Sequence, residues 1–173
     1  MARRTKQSPE KLYGSTLSWS GWSFRVLSSA QGLRRVELVP TPFEELEKRL
    51  GVRILPDDDP NERALLEIHE YLRGERRTFD LPLDLLGTAF QRSVWSAISS
   101  IPYGGTMSYF EIAHAIGNPH ALRAVGQATG ANPVPIVIPC HRVIGKSGQL
   151  TGFAGGLPLK EQLLSIERGS LGL

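Results

Sequence analysis

Two repeating patterns predict an α+β chain. Leu17 and Trp19, then Trp22, Phe24 and Val26 beyond Gly21, alternate with serines and an arginine at the two-residue period of half-buried strands. From Thr88 onward, apolar residues recur at helical spacing behind well-marked starts. We read a small N-terminal strand and helix domain over residues 1–80, a linker at 81–87, and a helical helix-turn-helix domain over 88–173.

In the first domain the alternating residues form a hairpin, and Leu33 to Val39 make a third strand after the turn Ser29-Ala30-Gln31-Gly32. Thr41-Pro42-Phe43-Glu44 supplies an N-cap, a proline for the first helical position and a capping-box acid, with Gly51 as the stop. Asn61 is expected to cap a second helix that carries Leu65, Ile68 and Leu72 on one face and ends at Gly74. Nothing in this half gathers groups for chemistry, and His69 reads as a solvated or packed histidine.

In the second domain Thr88-Ala89-Phe90-Gln91 is a capping box, and Phe90, Val94, Trp95 and Ile98 form one apolar face. After the loop Ile101 to Gly105, Ser108-Tyr109-Phe110-Glu111 opens another helix, with Ile112, Ala113 and Ile116 inward and Gly117 as its stop. Asn118-Pro119 restarts the chain as N-cap and first turn, and the next helix is expected to turn Ala121, Leu122, Val125 and Ala128 inward. Two such helices across a tight glycine turn form the helix-turn-helix signature. The opposite face presents Arg123, Gly126, Gln127 and Gly130. Gly126 inside a helix costs about 1 kcal/mol against Ala. Close approach of another surface offsets that cost, whether the surface is DNA or a neighbouring helix. One cation among small residues suits contact with the DNA backbone better than base reading.

The 173 residues are 40% apolar and 21% charged, which permits a real core and excludes wholesale disorder and collagen. No apolar run approaches the ~20 residues that span a bilayer. Met1 to Lys6 is basic without an apolar continuation, so no secretory signal is expected, and the protein should be cytoplasmic or nucleoid-associated. Cys140 is the single cysteine, which rules out an intramolecular disulfide and a zinc site of several thiolates; neither metal nor cofactor is expected. Residues 1–86 carry fourteen basic and fourteen acidic side chains, whereas 87–173 carry six and three. The second half therefore meets phosphates with little repulsion, although a net charge of +3 suits a mildly basic enzyme equally well.

Asn132 to Val143 is the most unusual stretch. Its prolines at 133, 135 and 139 forbid a helix and are expected to hold it extended, stiff and dry, delivering Cys140 at its end. Burial alone makes a thiol inert, but the adjacent His141 can take its proton. A third group must then orient the imidazole. Glu111 is explained by its capping box, and Glu161 lies in the first turn of a helix. Glu167 sits near that helix's C-terminal end, where negative charge is disfavoured, on a face with Leu163 and Leu164. Cys140, His141 and Glu167 are thus the candidate relay. The bland alternative is a buried small hydrophobe, a histidine turned away and a glutamate frayed into water.

Pro139-Cys140-His141-Arg142-Val143 resembles the Pro-Cys-His-Arg-Val motif of O6-alkylguanine-DNA alkyltransferases. The resemblance runs through Asn132, Arg123, Tyr109, Gly155-Gly156 and Glu167, over residues 88 to 168, and residues 1–86 are similar only in layout. It implies a winged-helix-like domain that flips O6-alkylguanine out of double-stranded DNA and moves the alkyl group irreversibly to Cys140. His141 would take the thiol proton through a water, held by Glu167. Tyr109 would donate a proton toward the guanine and help rotate the phosphate, while Arg123 fills the vacated stack. Gly126 and Gln127 would face DNA, and Asn132 would tie the recognition helix to the active-site segment. The backbone of Cys140, Val143 and Gly155 would line the guanine pocket, closed by Thr151 to Gly156. Phe153-Ala154 departs from the family's Tyr followed by Ser or Arg, keeping an aromatic wall without its hydroxyl bonds. The protein is expected to work as a monomer. Competing readings are a non-catalytic lesion-binding module, a helix-turn-helix regulator and a Cys/His hydrolase.

Overall fold

The computed structural model describes residues 10–169; the basic stretch Met1 to Lys6 lies outside them. Strands β1 (Lys11–Trp19), β2 (Trp22–Ser29) and β3 (Gly32–Glu37) form the expected antiparallel meander. Trp19 pairs with Trp22 across Ser20 and Gly21, both at positive φ (47° and 82°), the twist that a two-residue hairpin requires. β3 stops at Glu37, two residues short of the expected Val39.

Helix α1 (Phe43–Leu50) begins without the expected cap. Pro42 occupies the N-cap position and no side chain bonds the first turn, while the Thr41 carbonyl accepts from Arg25 Nε at 3.1 Å. Gly51 ends the helix as expected, left-handed at φ 67°, with its N–H on Glu47 O. A short strand, β4 (Arg53–Pro56), then pairs parallel with β1, giving the sheet order β3-β2-β1-β4. Helix α2 (Glu62–Leu72) follows a 3-10 turn at Asp59–Asn61. Asn61 stands at its N-cap position, but the side chain does not cap it. Fully buried, its amide nitrogen instead donates to Tyr13 O and Ser15 Oγ, both at 3.0 Å, while its Oδ1 finds no partner among the described residues.

The stretch expected as a linker is fastened along the outer edge of β3. Leu33 N–H donates to Pro82 O at 2.8 Å and Asp84 N–H to Leu33 O at 2.9 Å, while Asp84 also takes the Arg34 guanidinium. One apolar cluster accordingly runs through both halves, from Phe24 and Val36 through Ile68 and Tyr71 to Trp95, Val125, Ile138 and Leu163.

Helices α3 (Ala89–Ser99) and α4 (Tyr109–Ala115) open with the two complete capping boxes, Thr88/Gln91 and Ser108/Glu111. Gly117 turns the chain at φ 71°. The restart is later than expected: Ala121 N–H bonds Asn118 O, so residues 118–121 close as a turn and α5 runs Leu122–Gly130. Its inward face is Val125, Ala128 and Thr129, whereas Leu122 is 44% exposed, not buried. The Trp95 indole donates to Ala128 O at 2.8 Å and locks α5 to α3.

Residues 132–139 are dry, as expected, but not extended. They fold into a tight loop in which Ile138 N–H bonds Val134 O, Pro135 bridges Ile138, and Ile136 adopts φ 77°. A β-branched residue in that region is strained, and Asn132 holds the loop shut. Its Nδ2 donates to Ile138 O at 2.8 Å, and its Oδ1 accepts from Val134 N–H at 3.1 Å. A 3-10 turn (Cys140–Arg142) follows, then β6 (Val143–Ile144), which pairs parallel with β5 (Met107–Ser108). That small pairing sets the start of α4 beside the cysteine turn. Helix α6 (Leu157–Glu167) closes the described chain.

Candidate active site

Cys140, 8% exposed, borders a cavity of about 380 Å³ together with Tyr109, Gly126, Thr129, Asn132, Phe153 and Ala154 among others. Burial pushes its thiol up to about 11, against a hydrogen bond with Asn132 and the charge of Lys160. At neutral pH it is therefore a thiol, and any nucleophilic role requires a base.

The candidate base, His141, is next in the chain and sits in a buried ion cluster. His141 is fully buried, and its Nε2 lies 2.8 Å from Glu167 Oε1. Glu167 also accepts Arg142 Nε on both oxygens at 3.0 Å, the Gly104 N–H at 2.8 Å and the Tyr71 hydroxyl at 2.5 Å. Burial alone would raise this carboxyl, but hydrogen bonds from His141 and Arg142 outweigh it and hold the group at about 2. Glu167 is thus an anion, and the bland reading of it as a frayed residue is wrong. Burial lowers the basicity of His141, only partly restored by Glu167, so the imidazole is neutral near pH 7. With Nε2 on the carboxylate, the lone pair is left on Nδ1, which is buried and finds no partner among the described residues.

Three members of the site were not found in the sequence. Arg142 belongs to the motif but had no role; its Nη1 donates to Ile101 O at 2.6 Å while the rest of the guanidinium holds Glu167. Tyr71 overturns the expectation that the first half gathers no chemistry, since it reaches both Glu167 and His141 (2.9 Å) from α2. Its position on the apolar face of α2 marks it only as core. Lys160 is fully buried, and its Nζ donates to Val143 O at 2.6 Å and Thr151 O at 3.0 Å, fastening the closing loop to β6. A signal for it existed: a cation in the first turn of a helix is misplaced in the same sense as an anion in the last.

Of the remaining expected residues, Tyr109 is half-buried and its hydroxyl accepts from Thr151 Oγ1 at 3.2 Å. Arg123 does not line the thiol cavity. It lines an adjoining groove of about 580 Å³ with Phe110, Leu122 and Lys146, and the two hollows share Tyr109 and Gly126. No carboxylate lines either hollow among the described residues. A Cβ on Gly126 would meet nothing within 4 Å among them, which removes helix packing as its reason and leaves open approach from outside. Gln127 is exposed on α5 and lines neither hollow. Val143 and Gly155 do not line the cavity as expected: Val143 is fully buried, and Gly155 is pressed against Leu38 and Leu159.

A single thiol beside a cavity on a smooth helix-turn-helix, next in the chain to a buried His–Glu pair, places this protein in the class of cysteine proteins built on a DNA-binding type of scaffold. Residues 89–169 match the family model of the 6-O-methylguanine DNA methyltransferase DNA binding domain, and residues 12–85 that of its ribonuclease-like domain. The inducible methylated-DNA–protein-cysteine methyltransferase of Bacillus subtilis is 48% identical over 162 residues, covering 91% of this chain and 90% of its own. The crystal structure of Mycobacterium tuberculosis OGT in complex with DNA has a TM-score of 0.79 at 39% identity, over 92% of this chain and 94% of that one. The M. tuberculosis O6-methylguanine methyltransferase structure gives 0.80 at 38%, over 93% and 95%. The chain belongs to the 6-O-methylguanine DNA methyltransferase family. Membership bears out the resemblance read from residues 88–168 and the α+β architecture.

Proposed function

We propose that this protein repairs double-stranded DNA by accepting the alkyl group of O6-alkylguanine on Cys140, once per chain. The observation that carries the reading is the buried thiol opening into a cavity on the helix-turn-helix face, backed by an ionised Glu167 and a neutral His141. The damaged base leaves the stack and enters the cavity, which lies within the ~300–1,000 Å³ range of small-molecule sites. Arg123, exposed at the start of α5, takes its place in the duplex. The thiol proton passes through a water to His141 Nδ1, and the imidazolium that forms is held by Glu167 through Nε2. The thiolate attacks the alkyl carbon in line, an S–C bond forms as the C–O6 bond breaks, and Tyr109 protonates the departing guanine. The product thioether is a poor alkyl donor, so the step does not reverse. Asn132 couples the end of α5 to the loop that bears Cys140. Phe153 supplies an aromatic wall, and neither it nor Ala154 adds a hydroxyl. The protein works as a monomer inside the cell and needs no metal.

Intact mass after incubation with O6-methylguanine duplex tests the reading. One added methyl, on Cys140, without later release is expected, and an unmodified chain or repeated turnover overturns it. Cys140→Ser should abolish transfer and leave duplex binding largely intact.

A further inference from the structure

We infer that Tyr71 is a positioning residue for the thiol-activating pair, its hydroxyl seating Glu167 and His141 so that the imidazole presents Nδ1 as its free lone pair. The inference rests on the alkyl-acceptor reading above. Tyr71 is fully buried, and its oxygen stands 2.5 Å from Glu167 Oε1 and 2.9 Å from His141 Nε2. A phenol has one proton to give. Burial first, then the charge of Glu167, raises its pKa above the ordinary tyrosine value, so the proton stays on and is donated to the carboxylate. The oxygen lone pairs then face Nε2. That nitrogen therefore meets two acceptors, Glu167 Oε1 at 2.8 Å and the Tyr71 oxygen, and must carry the ring's hydrogen.

The ring that delivers the hydroxyl is itself fixed, edge-on to Tyr103 at 6.1 Å and against Phe79 at 5.4 Å. The titratable and charged groups around His141 are Glu167 and Lys160 from α6, Cys140 and Arg142 from its own turn, and Tyr71 from α2, with Tyr103 beyond Tyr71. Among the described residues, Tyr71 alone of the groups bonded to the pair comes from the N-terminal half. That half thus completes the relay as well as supporting it.

Glu167 Oε1 divides its charge among Tyr71, His141 and Arg142. Removing the hydroxyl takes a neutral acceptor from Nε2–H but also frees the carboxylate of a competing donor; the anion is the stronger partner, so the imidazole holds a proton to higher pH. Because only neutral His141 can take the thiol proton, the acid limb of the rate profile must move up.

Tyr71→Phe keeps the ring and removes only the oxygen. The rate of alkyl transfer to Cys140 is to be measured from mildly acidic to alkaline pH, with O6-methylguanine duplex and with O6-benzylguanine base. Roughly tenfold slower transfer on both is expected, the scale of one hydrogen bond to a charged group. The acid limb should move to higher pH, and affinity for undamaged duplex should be unchanged. An unaltered rate, or a fall with the profile left in place, reduces Tyr71 to packing and overturns the inference. Imidazole nitrogen shifts of His141 in the unsubstituted protein give a second check that needs no variant: Nε2 should be protonated and Nδ1 bare, and the reverse tautomer also overturns it. If the unsubstituted protein takes no alkyl group, it is the functional reading that fails.

Discussion

Behind Cys140 the buried carboxylate is fully engaged: Glu167 meets Arg142, His141, Tyr71 and the Gly104 N–H. In front of it, the groove holds Arg123 and Lys146 with no carboxylate in its lining among the described residues, beside the exposed Phe110 (40%) and Leu122 (44%). The contrast teaches a division of labour. A buried network is rigid because each member lost leaves another charge stranded, whereas a smooth face whose cations meet no carboxylate among the described residues suits the approach of a polyanion.

The inner side should break hardest. Glu167→Ala strands Arg142 in the interior and should cost about 3–5 kcal/mol of stability, read as a fall in denaturant midpoint, with transfer lost. Near-normal stability would mean that water reaches the cluster. The same group governs acid stability. Its folded pKa, about 2, lies below the unfolded value near 4.5, so its contribution is complete above 4.5 and disappears as pH falls toward 2. The loss is at most on the order of 3 kcal/mol. His141, whose basicity is lowered first by burial, adds a loss of the same sign beginning below its unfolded value near 6.5. Stability should therefore drop in two stages on acidification; a flat profile down to pH 4 would contradict the neutral, buried imidazole.

On the outer side the effect should depend on the substrate. Arg123→Ala should slow repair of duplex by roughly 10–100-fold, the scale of a few kcal/mol for extrusion, and hardly alter reaction with O6-benzylguanine base. Equal losses on both would move Arg123 from the stack to the chemistry. The smallest effect on the fold should come from Leu122→Ala and Phe110→Ala. Exposed as they are, each should change stability by less than about 0.5 kcal/mol while weakening duplex binding several-fold. A loss of ~2–5 kcal/mol for Leu122→Ala would restore the inward orientation that the sequence suggests.

The sequence spoke clearly where a pattern is local. Both capping boxes and the hairpin at Ser20-Gly21 could be read because each signal lies within a few residues of what it determines, and Glu167 stood out by its place at the wrong end of its own helix. β4 has four residues and exists only because β1 offers an edge, so no period announces it. The prolines of the 132–139 loop exclude a helix but do not choose between extended and turned backbone, and the choice falls to the Asn132 amide and to an unexpected φ at Ile136. Leu122 was turned the wrong way because the start of α5 was set one turn early, at Asn118-Pro119. Tyr71 was invisible for a different reason. It meets Glu167 across 96 residues of chain, and a tyrosine on a core face carries no mark of its partner.

The covering of β3 has a consequence for the life of the molecule. One flank of this outer strand is sealed by Pro82 and Asp84, and further along Val36 N–H is satisfied by Pro133 O, on the same loop that Asn132 clasps and Cys140 ends. The order of that loop and the cover of the sheet edge are therefore one feature: were the loop to give way, Val36 would lose its partner and the margin of β3 would be bared. Such margins invite adhesion to other chains and capture by quality control.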